Sequence, residues 1–349
     1  MCQVAGERLM EIPEPNFTHL LSLRGPYGTF EHAKISVPRV EHGYCTDDVS
    51  RVALVLARES QSVMSMDLTE LLWSSLNFME LAQRANGEFL NRRLCTGDWQ
   101  FPASSEDCWG RAMWSLGTIY ARCEEPGLRE RASSAFERGA TVRSEWPRSM
   151  AFAALGASEF LRAAPNHEGA RQLLDAAVAV LDRENVSGQW RWPEDRLTYA
   201  NAILPEALIA AGVYLGDERI VERGLDQLKW LLEMETPRGH LSVTPSGGRG
   251  PGDDQRFFDQ QPIEVAAMSD ACVRALSLTG DPLWRQGREL CEMWFMGHND
   301  LGAVMFDHRT GGGYDGLTCD GPNLNQGAES TIALLTTLQH ARRVALTTI

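Results

Sequence analysis

Carboxylates are the residues of this chain whose types and spacing best suit chemistry. The stretch Gly43 to Leu54, GYCTDDVSRVAL, sets Asp47 and Asp48 side by side at the mouth of an apolar helix. Either acid can cap that helix, because a carboxylate there accepts bonds from the unpaired first-turn N–H groups and meets the positive end of the helix dipole. A cap needs only one acid, and a second carboxylate at the end of a helix buried nearly all round is costly unless it has a task. Asp107 in SEDCWGRAMWSLG, Asp259 in DQQPIEV and Glu329 in NQGAEST stand at comparable segment starts. Paired carboxylates facing each other across a cleft are what glycoside hydrolysis requires: one protonates the leaving oxygen, and the other activates water or attacks the sugar. Asp48 and Asp107 rank first as that pair, then Asp259 and Glu329. The dipole should keep Asp48 ionised, as a base needs. An apolar setting beside Cys108 and Trp109 should raise Asp107, as an acid needs.

The same stretches carry groups that suit a sugar, whose apolar C–H faces stack on aromatic rings while its hydroxyls need fixed polar partners. These are Tyr44, Asp47, Glu106, Trp109, Trp146, Arg148, Trp190, Trp192, Tyr199, Asn201, Gln261, Asn325 and Gln326. Core packing is the competing reading for each large aromatic taken alone. His32, His42, His240, His298 and His308 fall in loops and could serve an acid–base isomerase, although a lone loop histidine is more often simply solvated. The glycine runs Gly247-Gly248-Arg249-Gly250 and Gly311-Gly312-Gly313 neither follow a strand nor open a helix as phosphate loops do. No metal-ligand spacing, nucleophile motif or cofactor motif is visible.

Two kinds of helix alternate to position these groups. One is amphipathic, as in Ala170, Leu173, Leu174, Ala177, Val178 and Leu181, with Arg171, Gln172, Asp175 and Asp182 on the wet side. The other is apolar and rich in alanine and glycine, and begins near Asp47, Asp107, Pro147, Tyr199, Gln261 and Gln326, each time after a polar, aromatic loop. Starts recur every 40 to 65 residues, roughly the length of a helical hairpin with its loops. Short connections such as Ala164-Pro165-Asn166 and Gly216-Asp217 imply antiparallel neighbours. The long connections all run from wet helix to dry helix, so they collect at one end with the dry-helix N-termini. The expected architecture is all-α: residues 41–349 form one α/α toroid of about six hairpins, possibly incomplete at its closure. Residues 1–40, broken by Pro13, Pro15, Gly25, Pro26, Gly28 and Pro38, would pack on the ring or close it.

Composition limits the partners. The 349 residues are 43% hydrophobic with a net charge of −14 and no basic cluster, which argues against nucleic acid and anionic membranes. The start lacks a basic segment followed by an apolar run, and no 18 consecutive residues are apolar, so neither signal peptide nor membrane span is expected. Eight scattered cysteines fit reduced thiols in a cytoplasmic protein.

Taken together, GYCTDD, SEDCWGRAMWSLG, PEDRLTYANAILPEAL and DGL…NLNQGAEST resemble a bacterial all-helical domain found alone or appended to glycosyltransferases, often beside genes for mannoside phosphorylases. The similarity spans about His32 to Gln339. It also touches the wider six-hairpin toroid class of glycosidases, unsaturated uronyl hydrolases, polysaccharide lyases and sugar epimerases. The family pattern carries an acid where this chain has Ala200 and an arginine where it has Ala202. The resemblance implies the toroid fold and work on carbohydrate. Three functions follow as expectations. First comes a glycosidase, inverting by analogy, acting on a bacterial oligosaccharide. The others are a sugar epimerase or isomerase with two facing histidines, and a non-catalytic glycan-binding partner of a glycosyltransferase.

Overall fold

The computed structural model describes residues 12–183, 190–253 and 257–347. A five-residue helix, α1 (Thr18–Ser22), precedes eleven longer ones. These are α2 (Thr46–Ala57), α3 (Met66–Ala82), α4 (Asp107–Arg122), α5 (Pro126–Gly139), α6 (Pro147–Ala163), α7 (Glu168–Leu181), α8 (Ile203–Leu215), α9 (Glu218–Glu235), α10 (Pro262–Thr279), α11 (Pro282–Phe295) and α12 (Ala328–Thr347).

The even-numbered helices form a closed inner ring, each packed on the next and α12 returning to α2. The odd-numbered helices from α3 to α11 lie outside, each antiparallel to its inner partner. Sequence explains the division. In α6 every residue from Arg148 to Leu161 is buried, whereas α7 buries only Ala170, Leu173, Leu174, Ala177 and Leu181 along one stripe. The outer helices start on side-chain caps: Ser65, Glu125, His167, Asp217 and Asp281 each accept a first-turn N–H. The twelfth place goes to α1, which packs on α12 and α3 with Leu20 and Leu23 fully buried.

Close approach sets the inner ring's diameter. A Cβ on Gly117 of α4 would lie 2.0 Å from the Gly156 carbonyl oxygen of α6, and one on Gly156 would lie 2.2 Å from the Met113 carbonyl oxygen. Small residues there let the two backbones touch.

The long outer-to-inner loops gather at the end where the inner helices begin. Short antiparallel ladders stiffen them: Ala33–Lys34 with Val37–Pro38, Tyr44–Cys45 with Arg92–Arg93, Phe306–Asp307 with Gly312–Gly313, and Gly316–Thr318 with Gly321–Asn323. Single bridges stitch loop to loop, from Leu197 to Arg249, Pro245 to Gln260 and Gln260 to Leu317. Among the described residues no helix is long and apolar enough to cross a membrane. The cysteines there are all free thiols, and Cys2 lies outside them.

Gly117→Ala should therefore destabilise the fold by about 1–3 kcal/mol or more, since neither backbone can yield without moving a whole helix. Gly247→Ala, at a glycine with open space around it and no positive φ, controls for the loss of glycine itself. Urea midpoints of the two variants read the difference.

Candidate functional site

The first turns of the inner helices hold the acids, but not as caps. The residue before α2 is Cys45 and that before α4 is Glu106, and neither they nor Asp47, Asp48 or Asp107 make a side-chain cap. The two adjacent acids divide because successive helical residues point about 100° apart. Asp48 turns inward, is 3% exposed, and pairs at 2.5 Å with Arg51 one turn on. Arg51 also reaches Glu329 at 2.6 Å, joining α2 to α12. Asp47 turns toward the open end, 3.8 Å from Arg111 of α4.

Asp48 does not rest on the helix dipole as expected: the Arg51 guanidinium is its buried counter-charge. Burial pushes its carboxyl up to about 7 against the pull of Arg51, and Glu329 adds to the rise. For Glu329 burial also acts upward, but Arg51 outweighs it and holds the group below the ordinary range. For Asp47 burial again raises the carboxyl, opposed by Arg111 and Arg51. Arg51 is itself resisted by burial and still held above its usual value by Glu329 and Asp48. Asp48 is thus part of the buried framework and does not face the cleft.

Asp107 lies in a more polar setting than sequence suggested. Its two oxygens accept the Ser149 hydroxyl and the Tyr199 phenol, each at 2.9 Å. Of the two neighbours expected beside it, Trp109 turns away, fully buried with its indole N–H bonded to the Gly139 carbonyl, while Cys108 lines the same cavity as Asp107.

A cavity of about 520 Å³ opens here, lined by Asp47, Asn91, Glu106, Asp107, Cys108, Trp146, Pro147, Arg148, Glu194, Thr198 and Tyr199. Trp146 and Tyr199 are 52% and 43% exposed, so their rings are free to stack on a ligand. Arg148 is buried and grips Glu194 with both arms at 2.7 and 2.9 Å. It also donates to Asn201 Oδ1 and the Tyr199 carbonyl, and its guanidinium lies 4.8 Å from the Tyr199 ring centre.

Other sequence candidates fall outside this cavity. Tyr44 packs in a separate small core with Phe30, Val49 and Phe78, while Trp190 and Trp192 pack on Trp230. Both indoles donate to Glu194, the first to its carbonyl and the second to its carboxylate, so they brace the cavity wall from behind. Gln326 is buried against Thr310 and Asn325 holds the Ile35 N–H, so both pin the last loop. Asp259 is exposed, its carbonyl accepting the Ser246 N–H, and Gln261 precedes α10 without capping it. Asn201 lies beneath the wall, fully buried.

Sequence reasoning passed over Arg51, Arg111, Asn91, Ser149 and Glu264. For Arg51 a signal existed: it follows Asp48 by three residues on one helix face. Glu31, Cys45 and Asp48 bring donor atoms within 4.8 Å of one another, but Arg92 and Arg51 already pair with the two acids. Of the loop histidines, His32 and His42 meet at 3.1 Å between their Nδ1 atoms, and His32 lies 3.7 Å from Glu31. His240 bonds Asp300 and lies edge-on to His298.

Architecture decides the first comparison. The fold is the α/α toroid. A sugar epimerase from a ruminal bacterium superposes with a TM-score of 0.72, at 12% identity over 93% of this chain and 95% of that one. A D-mannose isomerase gives 0.63, at 11% identity over 92% and 93%. A GH76 alpha-mannanase from Bacteroides thetaiotaomicron gives 0.58, at 12% identity over 88% of each. No family model and no curated protein matches the chain.

Two expectations follow from the electrostatics. Arg51→Met should cost about 3–5 kcal/mol, because it leaves Asp48 buried without its cation. Added Asp48→Asn should recover much of that loss, as a chemical-denaturation cycle would record. The second concerns Glu235, which ends α9 and accepts both the N–H and hydroxyl of Thr244. Burial, aided by Glu264, pushes it up to about 8 despite those bonds. The fold therefore keeps a proton that the unfolded chain releases near ~4.3. This contribution is complete below the ordinary glutamate range and is lost as pH rises through about 8. Stability should fall across that window by up to ~1.4 kcal/mol per pH unit, and Glu235→Gln should flatten the slope.

Proposed function

We propose that the protein is a glycoside hydrolase acting on a neutral oligosaccharide by inversion, with Asp47 as general acid and Asp107 as general base. The observation that carries the reading is the pairing of these two acids, from neighbouring inner helices α2 and α4, on one cavity with the exposed rings of Trp146 and Tyr199. Burial raises Asp47, which favours a carboxyl that delivers a proton. Asp107 uses both oxygens as acceptors toward Ser149 and Tyr199, which suits a group that orients and deprotonates water. This reverses the role expected for Asp107 and passes the partner role from Asp48 to its neighbour. Two carboxylates with a water between them hydrolyse with inversion, and the rings supply stacking for the sugar faces.

Epimerisation or isomerisation is the second reading, and the His32–His42 pair beside Glu31 favours it. A structurally similar protein bears the name D-mannose isomerase, another sugar epimerase and another alpha-mannanase, so all three chemistries belong in one screen.

Mannose- and glucose-containing oligosaccharides, reducing disaccharides and free mannose are incubated with the protein, and products are followed by proton NMR. Hydrolysis is expected, with the first-formed product of opposite anomeric configuration. Asp107→Asn should lose about 10²–10⁴-fold in rate on every substrate. Asp47→Asn should lose as much on natural leaving groups and far less on activated aryl glycosides, which need no proton. Epimer or ketose formation that survives both changes and vanishes in His32→Ala would replace hydrolysis with the second reading.

A further inference from the structure

Glu264 lies in the first turn of α10, 4% exposed, with no place among the cavity-lining residues. Its carboxylate faces the turn ahead of α8. One oxygen accepts the Ala200 N–H, and the other accepts the Asn201 N–H and the Asn201 Nδ2, both at 3.1 Å. Ala200 has a φ of +44°, a left-handed conformation that is costly for a residue bearing a Cβ and persists only where its surroundings impose it. The bent turn aims two successive N–H groups at the Glu264 carboxylate.

The chain of contacts continues outward. Asn201, with no solvent exposure, uses Oδ1 to accept the Thr198 N–H at 2.9 Å and Arg148 at 3.1 Å. Arg148 holds Glu194 and the Tyr199 carbonyl, and the Tyr199 hydroxyl ends on Asp107. A group on α10 is thus connected to the acid on α4 through the turn that carries Tyr199.

We infer that Glu264 is a positioning residue: by fixing the left-handed turn at Ala200 and the Asn201 amide, it sets Arg148 and Tyr199, and through them Asp107, in the cavity wall. The inference rests on the reading of that cavity as the active site, but its geometric part stands apart from the reaction. Four donor–acceptor contacts run in series, and Glu264, Asn201 and Arg148, at the inner end, are buried. Glutamine in place of Glu264 has one acceptor oxygen, so an amide N–H would be turned against one of the two backbone N–H groups.

The test has two readouts. A crystal structure of Glu264→Gln should show residues 198–201 displaced and the Tyr199 hydroxyl beyond hydrogen-bond distance of Asp107. Kinetics on the best oligosaccharide of the screen should show kcat reduced about 10²-fold, as a misplacement near 1 Å produces, with KM changed less. Adding Ala200→Gly, which removes the conformational penalty, should recover a substantial part of kcat. A lesion that merely loosened the core would gain nothing from that second change. Should Glu264→Gln fail to fold, Glu264→Asp takes its place, keeping the charge while falling short of one N–H. An unmoved turn with wild-type kinetics overturns the inference, as does a kcat loss that Ala200→Gly leaves untouched. A displaced turn in a protein that converts none of the oligosaccharides upholds the geometric link and overturns the hydrolase reading instead.

Discussion

The ring closes across a buried guanidinium. Arg51 of α2 lies between Asp48 on its own helix and Glu329 on α12, the last inner helix, and so joins the two ends of a ring assembled from five successive hairpins and α12. Apolar burial is non-directional, so it fixes the register of the closing helices less sharply than paired charges do. A buried ion pair tolerates no slip, since either charge left without its partner is expensive. A second set of pairs does the same at the far end of the inner helices. There Arg58, just past the end of α2, and His340 of α12 meet Asp270 of α10, at 2.8 and 2.5 Å. Burial works against the Asp270 charge, but Arg58 and His340 hold it well below the ordinary range.

That constraint shapes the open end. With Asp48 committed to Arg51, its neighbour Asp47 is directed outward, and the closeness of α2 to α4 brings it beside Arg111 and onto the cavity with Asp107. The near-contact of α4 with α6 at Gly117 and Gly156 in turn delivers Ser149 to Asp107 and Arg148 to the wall. The cavity-lining groups thus rest largely on helix starts, while one turn, Thr198 to Asn201, adds the Tyr199 hydroxyl. One fold can host different reactions through the groups placed on it.

The sequence by itself determined the architecture and the end at which the long loops gather. Alternating wet and dry helices, with short links one way and long links the other, admit little besides two concentric rings. All six inner-helix starts fall within about four residues of the positions read from the sequence, α2 at Thr46 and α12 at Ala328 among them. Periodicity is legible because it depends only on which face of each helix is apolar. Asp107, Glu106, Trp146, Arg148 and Tyr199 were legible for the same reason: each stands within a turn of an inner-helix start or in the loop before it.

Tertiary structure alone decided which acid faces the cleft and which aromatics are free. Asp47 and Asp48 are identical in type and adjacent in sequence, so only the direction each takes from α2, and the cations it meets there, tells them apart. Trp109 and Trp146 each lie beside an inner-helix start, yet one is sealed against α5 and the other is 52% exposed. Glu264 was invisible because its partners, Ala200 and Asn201, are some sixty residues away and its role lies in a backbone conformation that sequence does not state. Pattern along a chain reports which face is dry, whereas charge, reach and strain are settled between segments that only the closed ring brings together.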